Sequence, residues 1–80
     1  MVLKYSPKNG MGYLGQGDSL KGLGKIEEAV MSYSKVIEVD PQSISQALMK
    51  RGLLYLQLKQ NEAALKDFNR LTEMAEEDLT

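Results

Sequence analysis

The chain has no cysteine, no histidine and no tryptophan among its 80 residues, and only two prolines and one phenylalanine. Without cysteine there is no disulfide frame, no thiolate nucleophile and no zinc cluster. Without histidine the commonest general base and a common metal ligand are gone, and with them Ser-His-Asp and Cys-His chemistry. The opening MVLKYSPKNG holds too short an apolar run for a secretory signal, and no stretch approaches the roughly 18 apolar residues of a membrane span. These absences point to a soluble, non-enzymatic protein, expected in the cytoplasm or another reducing intracellular compartment.

Charge of one sign is also lacking. Ten basic and eleven acidic residues leave a net charge of -1, and Lys50-Arg51 is the only adjacent basic pair. That is a poor footprint for nucleic acid or an anionic membrane, so neither is expected as a partner. The balance is uneven along the chain: residues 1 to 26 sum to +3 and residues 27 to 80 to -4. The acidic end, Glu73, Glu76, Glu77 and Asp78, reads as a solvated terminal helix face.

Glycine, by contrast, is concentrated. Six of the seven glycines fall between Asn9 and Lys25, and Gly10-Met11-Gly12-Tyr13-Leu14-Gly15 spells G-x-G-x-x-G. A phosphate cradle of that spelling needs a strand before it, a helix after it and a β-α-β unit around it. The candidate strand MVLKY is broken off by Pro7, and an amphipathic segment follows where a second strand should be. A Walker-type loop fails too: Ser19 stands at its first glycine position before Gly24-Lys25, and Ile26 replaces the magnesium-binding hydroxyl residue. Neither cofactor nor metal is expected. A phosphate- or nucleotide-binding domain using the Gly10 to Gly17 glycines is the remote alternative.

What the chain does contain is an internal repeat. Pro7 and Pro41 lie 34 residues apart, and Gly17, Ala29 and Tyr33 reappear as Gly52, Ala64 and Phe68, each displaced by 35. GKIEEAVMSYSKVI and KQNEAALKDFNRLT align without a gap. In the first, Ile26, Ala29, Val30, Tyr33 and Ile37 form one stripe of a 3.6-residue helix, with Glu27 and Glu28 in its first turn, where the helix dipole favours acids. Asp40-Pro41 stops it. Ser43 or Ser45 can cap a third helix reaching about Lys59, whose apolar residues from Ala47 to Leu58 leave little polar face. LKQNEA makes a turn, and Glu62 to about Glu77 forms a last helix with Ala64, Leu65, Phe68, Leu71 and Ala75 as its buried stripe.

These residues resemble the tetratricopeptide repeat, a helix-turn-helix unit of about 34 residues with the pattern W-x2-L-G-x2-Y, A-x3-F, P. Tyr13, Gly17, Leu20, Gly24, Ala29, Tyr33 and Pro41 take its places in the first copy, and Leu48, Gly52, Tyr55, Ala64 and Phe68 in the second. Gln16 and Arg51 stand where the family prefers leucine, Glu76 where it prefers proline, and the linker after Pro41 carries one extra residue. The resemblance implies an all-α fold of tandem helix-turn-helix units, an α-solenoid of about four helices. Residues 10 to 43 are the first unit, and residues 44 to 80 the second with an extended C-terminal helix. Residues 1 to 9 read as the tail of a preceding repeat or a disordered N-terminus, since Val2 to Pro7 parallels Val36 to Pro41. A segment cut from a longer array is expected, with exposed apolar surface at its ends and possible self-association.

In that fold Gly17 and Gly52 are small residues where two helices approach closely, and Gly24 ends a helix. Gly10, Gly12, Gly15 and Gly22 receive no role. They weaken the first helix, which is expected to start late, near Met11 to Leu14, and to fray.

The resemblance also implies a protein-protein scaffold, holding a peptide or partner helix on a concave face lined by the first helix of each unit. The outward residues of that face are Met11, Leu14, Asp18 and Lys21, then Gln46, Met49, Leu53, Leu56 and Gln57. Met49, Leu53 and Leu56 read either as an adaptable apolar groove or as core against a neighbouring repeat. The alternative within this fold is a purely architectural spacer. One subclass of the family grips the C-terminal carboxylate of chaperone tails with lysine and asparagine. Here Leu14, Asp18 and Lys50 stand at the matching places, and Asp18 would repel a carboxylate, so no such clamp is expected.

Overall fold

The structure is a computed structural model that describes residues 10–79, with side chains through Glu76. The parallel drawn for residues 1 to 9, and the acids Glu77 and Asp78, lie outside what is described. Four helices follow in order: α1 (Gly10–Gly22), α2 (Ile26–Val39), α3 (Ile44–Gln57) and α4 (Asn61–Leu79), with one 3₁₀ turn, Pro41–Ser43, between α2 and α3. Each packs chiefly on its neighbour in sequence, α1 on α2, α2 on α3 and α3 on α4. This is the all-α arrangement of two stacked helix-turn-helix units.

Two close approaches are made by the glycines that the repeat singled out. A Cβ at Gly17 would stand 2.7 Å from Cδ1 of Tyr33, and one at Gly52 would stand 2.8 Å from Cε1 of Phe68. The aromatic ring of the second helix therefore lies on the bare backbone of the first, in both units. Tyr33 is 0 % exposed, and around it Leu14, Ala29, Val36, Ala47 and Leu54 form the core. Ile26, Val30 and Ile37 pack against this core while only partly buried.

The helix ends differ from the expectation in instructive ways. α1 begins at Gly10 and not later, because Gly10 is buried against the side chain of Asp40, and a Cβ there would come within 2.5 Å of the Asp40 Cβ. Gly10 thus has a role that the sequence did not disclose. Ser43 and Ser45 do not cap α3 with their side chains; Asp40 serves the junction instead. Its carboxylate accepts from the Gln42 N–H at 3.1 Å and from the Ser43 hydroxyl at 3.1 Å, after Asp40-Pro41 has ended α2 in extended geometry. The aspartate before the proline is the better acceptor, since it sits at the N-cap of the 3₁₀ turn. α3 stops at Gln57, short of Lys59, and α4 starts one residue earlier than expected, at Asn61.

Two corrections concern burial. Leu65 is 59 % exposed and Ala75 is exposed, so neither belongs to the buried stripe of α4, which contains Ala64 and the carboxylate of Asp67. α3 buries Ala47, Leu48, Gly52 and Leu54, yet leaves Met49, Leu53 and Leu56 about half exposed, so it is not enclosed on several sides.

α1 and α3 end in the same hydrogen-bonded lock. Lys25 N–H donates to the Leu20 carbonyl at 2.8 Å and Gly24 N–H to Lys21 at 3.0 Å; Gln60 N–H donates to Tyr55 at 2.8 Å and Lys59 N–H to Leu56 at 3.0 Å. This is the paired 6→1 and 5→2 pattern that needs a left-handed residue after the helix. Gly24 supplies it at φ +82°, and Lys59, its counterpart 35 residues on, is forced to φ +64°. A β-carbon in that region costs about 1 kcal/mol. Replacing Lys59 with glycine is therefore expected to stabilise the protein by about that amount and raise Tm by roughly 4–8 °C. Thermal denaturation followed by circular dichroism measures this, and an unchanged or lower Tm would contradict the account.

Candidate partner-binding surface

The two units are built on one plan, and two pairs of side-chain contacts set them apart. In the first, the Tyr33 hydroxyl crosses from α2 to donate a short hydrogen bond to Asp18 on α1, one residue after the glycine on which its ring lies. In the second, Phe68 has no hydroxyl, and Leu53 stands at the place of Asp18. The polar pair has become an apolar one. Asp18 also takes the Lys50 ammonium of α3 at 3.2 Å, which puts the open sides of α1 and α3 on one common face.

The electrostatics follow from these contacts. The Tyr33 hydroxyl holds the Asp18 carboxyl below its ordinary range, with Lys50 adding to this and partial burial opposing it. Burial, then the hydrogen bond to Asp18, pushes the Tyr33 phenol well above its usual value, so it remains a donor at any working pH.

The second pair is Arg51 and Asp67. Arg51 Nε donates to Asp67 Oδ2 at 2.9 Å and Nη2 to Oδ1 at 2.6 Å, a two-pronged bridge between α3 and α4. The third nitrogen, Nη1, donates to Ser34 Oγ on α2 at 3.0 Å, and the Ser34 hydroxyl in turn donates to the Val30 carbonyl at 2.8 Å. The guanidinium lies 5.6 Å from the centre of the Tyr55 ring. Asp67 is only 4 % exposed, so Arg51, which departs from the family's leucine, is what makes that carboxylate tolerable. The counterparts in the first unit, Gln16 and Ser32, are neutral. They line an open pocket of about 400 Å³ together with Tyr13, Met31, Ser34, Lys35 and Glu38.

The residues expected on the concave face divide. Leu14, expected to point outward, is 4 % exposed and belongs to the core, because α2 and α3 close over it; that assignment is corrected. Asp18, Lys21, Gln46, Met49, Leu53, Leu56 and Gln57 are exposed, as is Met11. Leu53 and Leu56 have Asp18 and Lys21 as counterparts, both open to solvent, whereas Met49 has buried Leu14. By that comparison Leu53 and Leu56 lie on the open side, and Met49 turns toward the end of the stack. Sequence reasoning missed the Arg51–Asp67 bridge. Its signal was present, since Arg51 and Asp67 replace two neutral residues of the first unit at the same 16-residue separation.

The G-x-G-x-x-G lies wholly inside α1. Among the described residues no strand precedes or follows it, so the β-α-β unit that a phosphate cradle of this spelling requires is not formed. Among the described residues, no group of three or more acidic side chains is arranged to hold a metal ion, and no helix is long and apolar enough to cross a membrane.

A pair of helices closing on a glycine-aromatic contact, repeated once by a fixed displacement, is the plan of a helical-repeat protein, and the comparisons say which. The tetratricopeptide repeat family model matches residues 12–43 and again residues 45–78, and the chain belongs to that family. It is similar to a protein described as "Protein CTR9 homolog" from Arabidopsis thaliana, 36 % identical over 66 residues. The match covers 82 % of this chain but only 6 % of that protein's length. No solved structure matches.

Two expectations follow from the ionic contacts. Arg51→Leu restores the residue preferred by the family but strands the Asp67 carboxylate, and is expected to cost about 3 kcal/mol. Adding Asp67→Ala should return most of that loss. Urea titration of the native protein, Arg51→Leu, Asp67→Ala and the double variant decides this, and an additive double variant would show that the bridge is not the reason. For Asp18, a lowered folded-state pKa stabilises the protein above the unfolded value near 4, and this stabilisation is lost as pH falls through the lowered value. The Tm gap between the native protein and Asp18→Asn should therefore be widest near neutral pH and narrow as pH falls through the lowered value.

Proposed function

We propose that the chain is a non-catalytic scaffold module that holds a partner helix or peptide on the open face shared by α1 and α3. The observation that carries this reading is the pair Leu53 and Leu56, 50 % and 47 % exposed on α3 beside the Asp18–Lys50 bridge. No internal contact of the fold requires leucine at these places, since Asp18 and Lys21 occupy the equivalent ones in the first unit. Two large aliphatic side chains three residues apart present an anchor for the apolar stripe of an amphipathic helix. Asp18, Lys21, Gln46 and Gln57 form the rim.

The partner is inferred to be protein, because the balanced charge offers no track for nucleic acid or an anionic surface. Asp18 faces the same groove as an anion, which disfavours a peptide held by its terminal carboxylate. Absence of cysteine is compatible with a reducing intracellular compartment. A spacer role, in which this stretch positions other repeats, draws support from the relative of which it spans 6 %.

Selection of displayed peptides on the immobilised chain tests the groove. Ligands with apolar residues three and four apart are expected, and Leu53→Ser combined with Leu56→Ser should weaken them at least tenfold while helicity is kept. Substitution at half-exposed sites should move stability by no more than about 1 kcal/mol. Peptides that bind the double variant equally well would favour the spacer, and amide shifts at Gly10 to Gly17 on adding ATP would favour the phosphate reading.

A further inference from the structure

The helices of this fold divide by charge. α1 and α3, which share the open face, carry one acid and three bases between them, Asp18 against Lys21, Lys50 and Arg51. α2 and α4, packed against them, carry nine acids and three bases. The near-neutral total thus conceals a net +2 on the helices of the open face and a net -6 on the other two. A charged partner feels that division before it makes any contact, because the summed field acts over about a Debye length, roughly 8 Å at physiological salt.

On the open face the charges are not all paired. Arg51 is committed to Asp67 of α4, and Lys50 to Asp18. Asp18 is matched twice, by the Lys50 ammonium at 3.2 Å and by the Tyr33 hydroxyl. Lys21 is exposed and has no ion pair among the described residues. Its level on the face follows from the Asp18–Lys50 bridge. As first helices of successive repeats, α1 and α3 run the same way, so three residues beyond Asp18 and Lys50 the chain places Lys21 and Leu53 side by side. A cation without a partner therefore stands next to the first of the two exposed leucines.

We infer that the partner helix of this face is acidic: its apolar pair covers Leu53 and Leu56, and a side-chain carboxylate beside that pair binds Lys21. This rests on the groove reading proposed above and adds the charge of the occupant. A terminal carboxylate at the level of Asp18 stays disfavoured. A carboxylate one turn further on meets Lys21 instead, past the acid that Lys50 and Tyr33 already hold. The acids of α2 and α4 repel the same helix from the rest of the molecule, so the charge also selects where it docks.

Amide-capped helical peptides with one common leucine pair three residues apart, flanked by glutamates, glutamines or lysines, are the probes, read by fluorescence anisotropy. At low salt the glutamate peptide should bind the native protein about threefold more tightly than the glutamine one, the lysine peptide should bind least, and about 0.5 M salt should remove the difference. Lys21→Glu should reverse the order, and the gain in affinity for the lysine peptide is a result that an unfolded protein does not give. Lys35→Glu changes the net charge equally but lies on α2, and should keep the native order. Leu53→Ser combined with Leu56→Ser should weaken all three peptides. Equal binding of the three peptides, a preference for lysine, a Lys21→Glu protein that keeps the native order, or a Lys35→Glu protein that loses it would overturn the inference and leave the groove standing. If no peptide binds the native protein, or the double serine variant binds them as well, the groove reading falls and the inference falls with it.

Discussion

An aromatic ring lying on a glycine holds each half of this molecule together. Tyr33 on Gly17 and Phe68 on Gly52 bring paired helices closer than any side chain at the glycine would allow. Everything else is set out from those two contacts. Tyr33 shares one continuous core with Leu14, Ala29, Val36, Ala47 and Leu54, drawn from α1, α2 and α3. The glycines concentrated in the first helix look at first like a loop signal, yet Gly17 is there for its missing side chain and Gly10 for the room it leaves Asp40.

From the same contact the two units diverge in chemistry. The Tyr33 hydroxyl emerges beside Asp18, so a carboxylate belongs there, and Asp18 in turn holds Lys50. Phe68 makes no such demand, and Leu53 is left at the surface without a part in the core. Arg51 and Asp67 carry the opposite asymmetry: the second unit buries a charge pair where the first has Gln16, Ser32 and an open pocket. Two halves built on one plan therefore present one mixed open face. That inequality leaves an apolar patch on the open face, which a groove requires.

Much of this was legible in the one-dimensional pattern. The 35-residue displacement, the glycine and aromatic at fixed spacing, and the Asp40-Pro41 stop together specify four helices paired in order. These are short-range signals, carried by periodicity and by residues whose backbone limits are their own. Leu14, Leu65 and Met49 were not legible. All three sit on apolar stripes of their helices, and periodicity cannot say whether a further helix lies against a stripe. Leu14 of α1 shares one core with residues of α2 and α3, whereas its counterpart on α3, Met49, has no following helix against it among the described residues.

The sequence by itself determined the repeat, the helix order, the glycine-aromatic seams and the lack of groups for histidine or cysteine chemistry, because each depends on residue identity and local spacing. Tertiary structure alone decided that Asp40 and not a serine serves the α2–α3 junction and that Arg51 spans three helices to reach Ser34 and Asp67. It also decided that Leu14 is core while Met49 is surface. The physical reason is the same in each case. Burial and charge pairing are properties of distance between elements, and that distance exists only once the helices have packed.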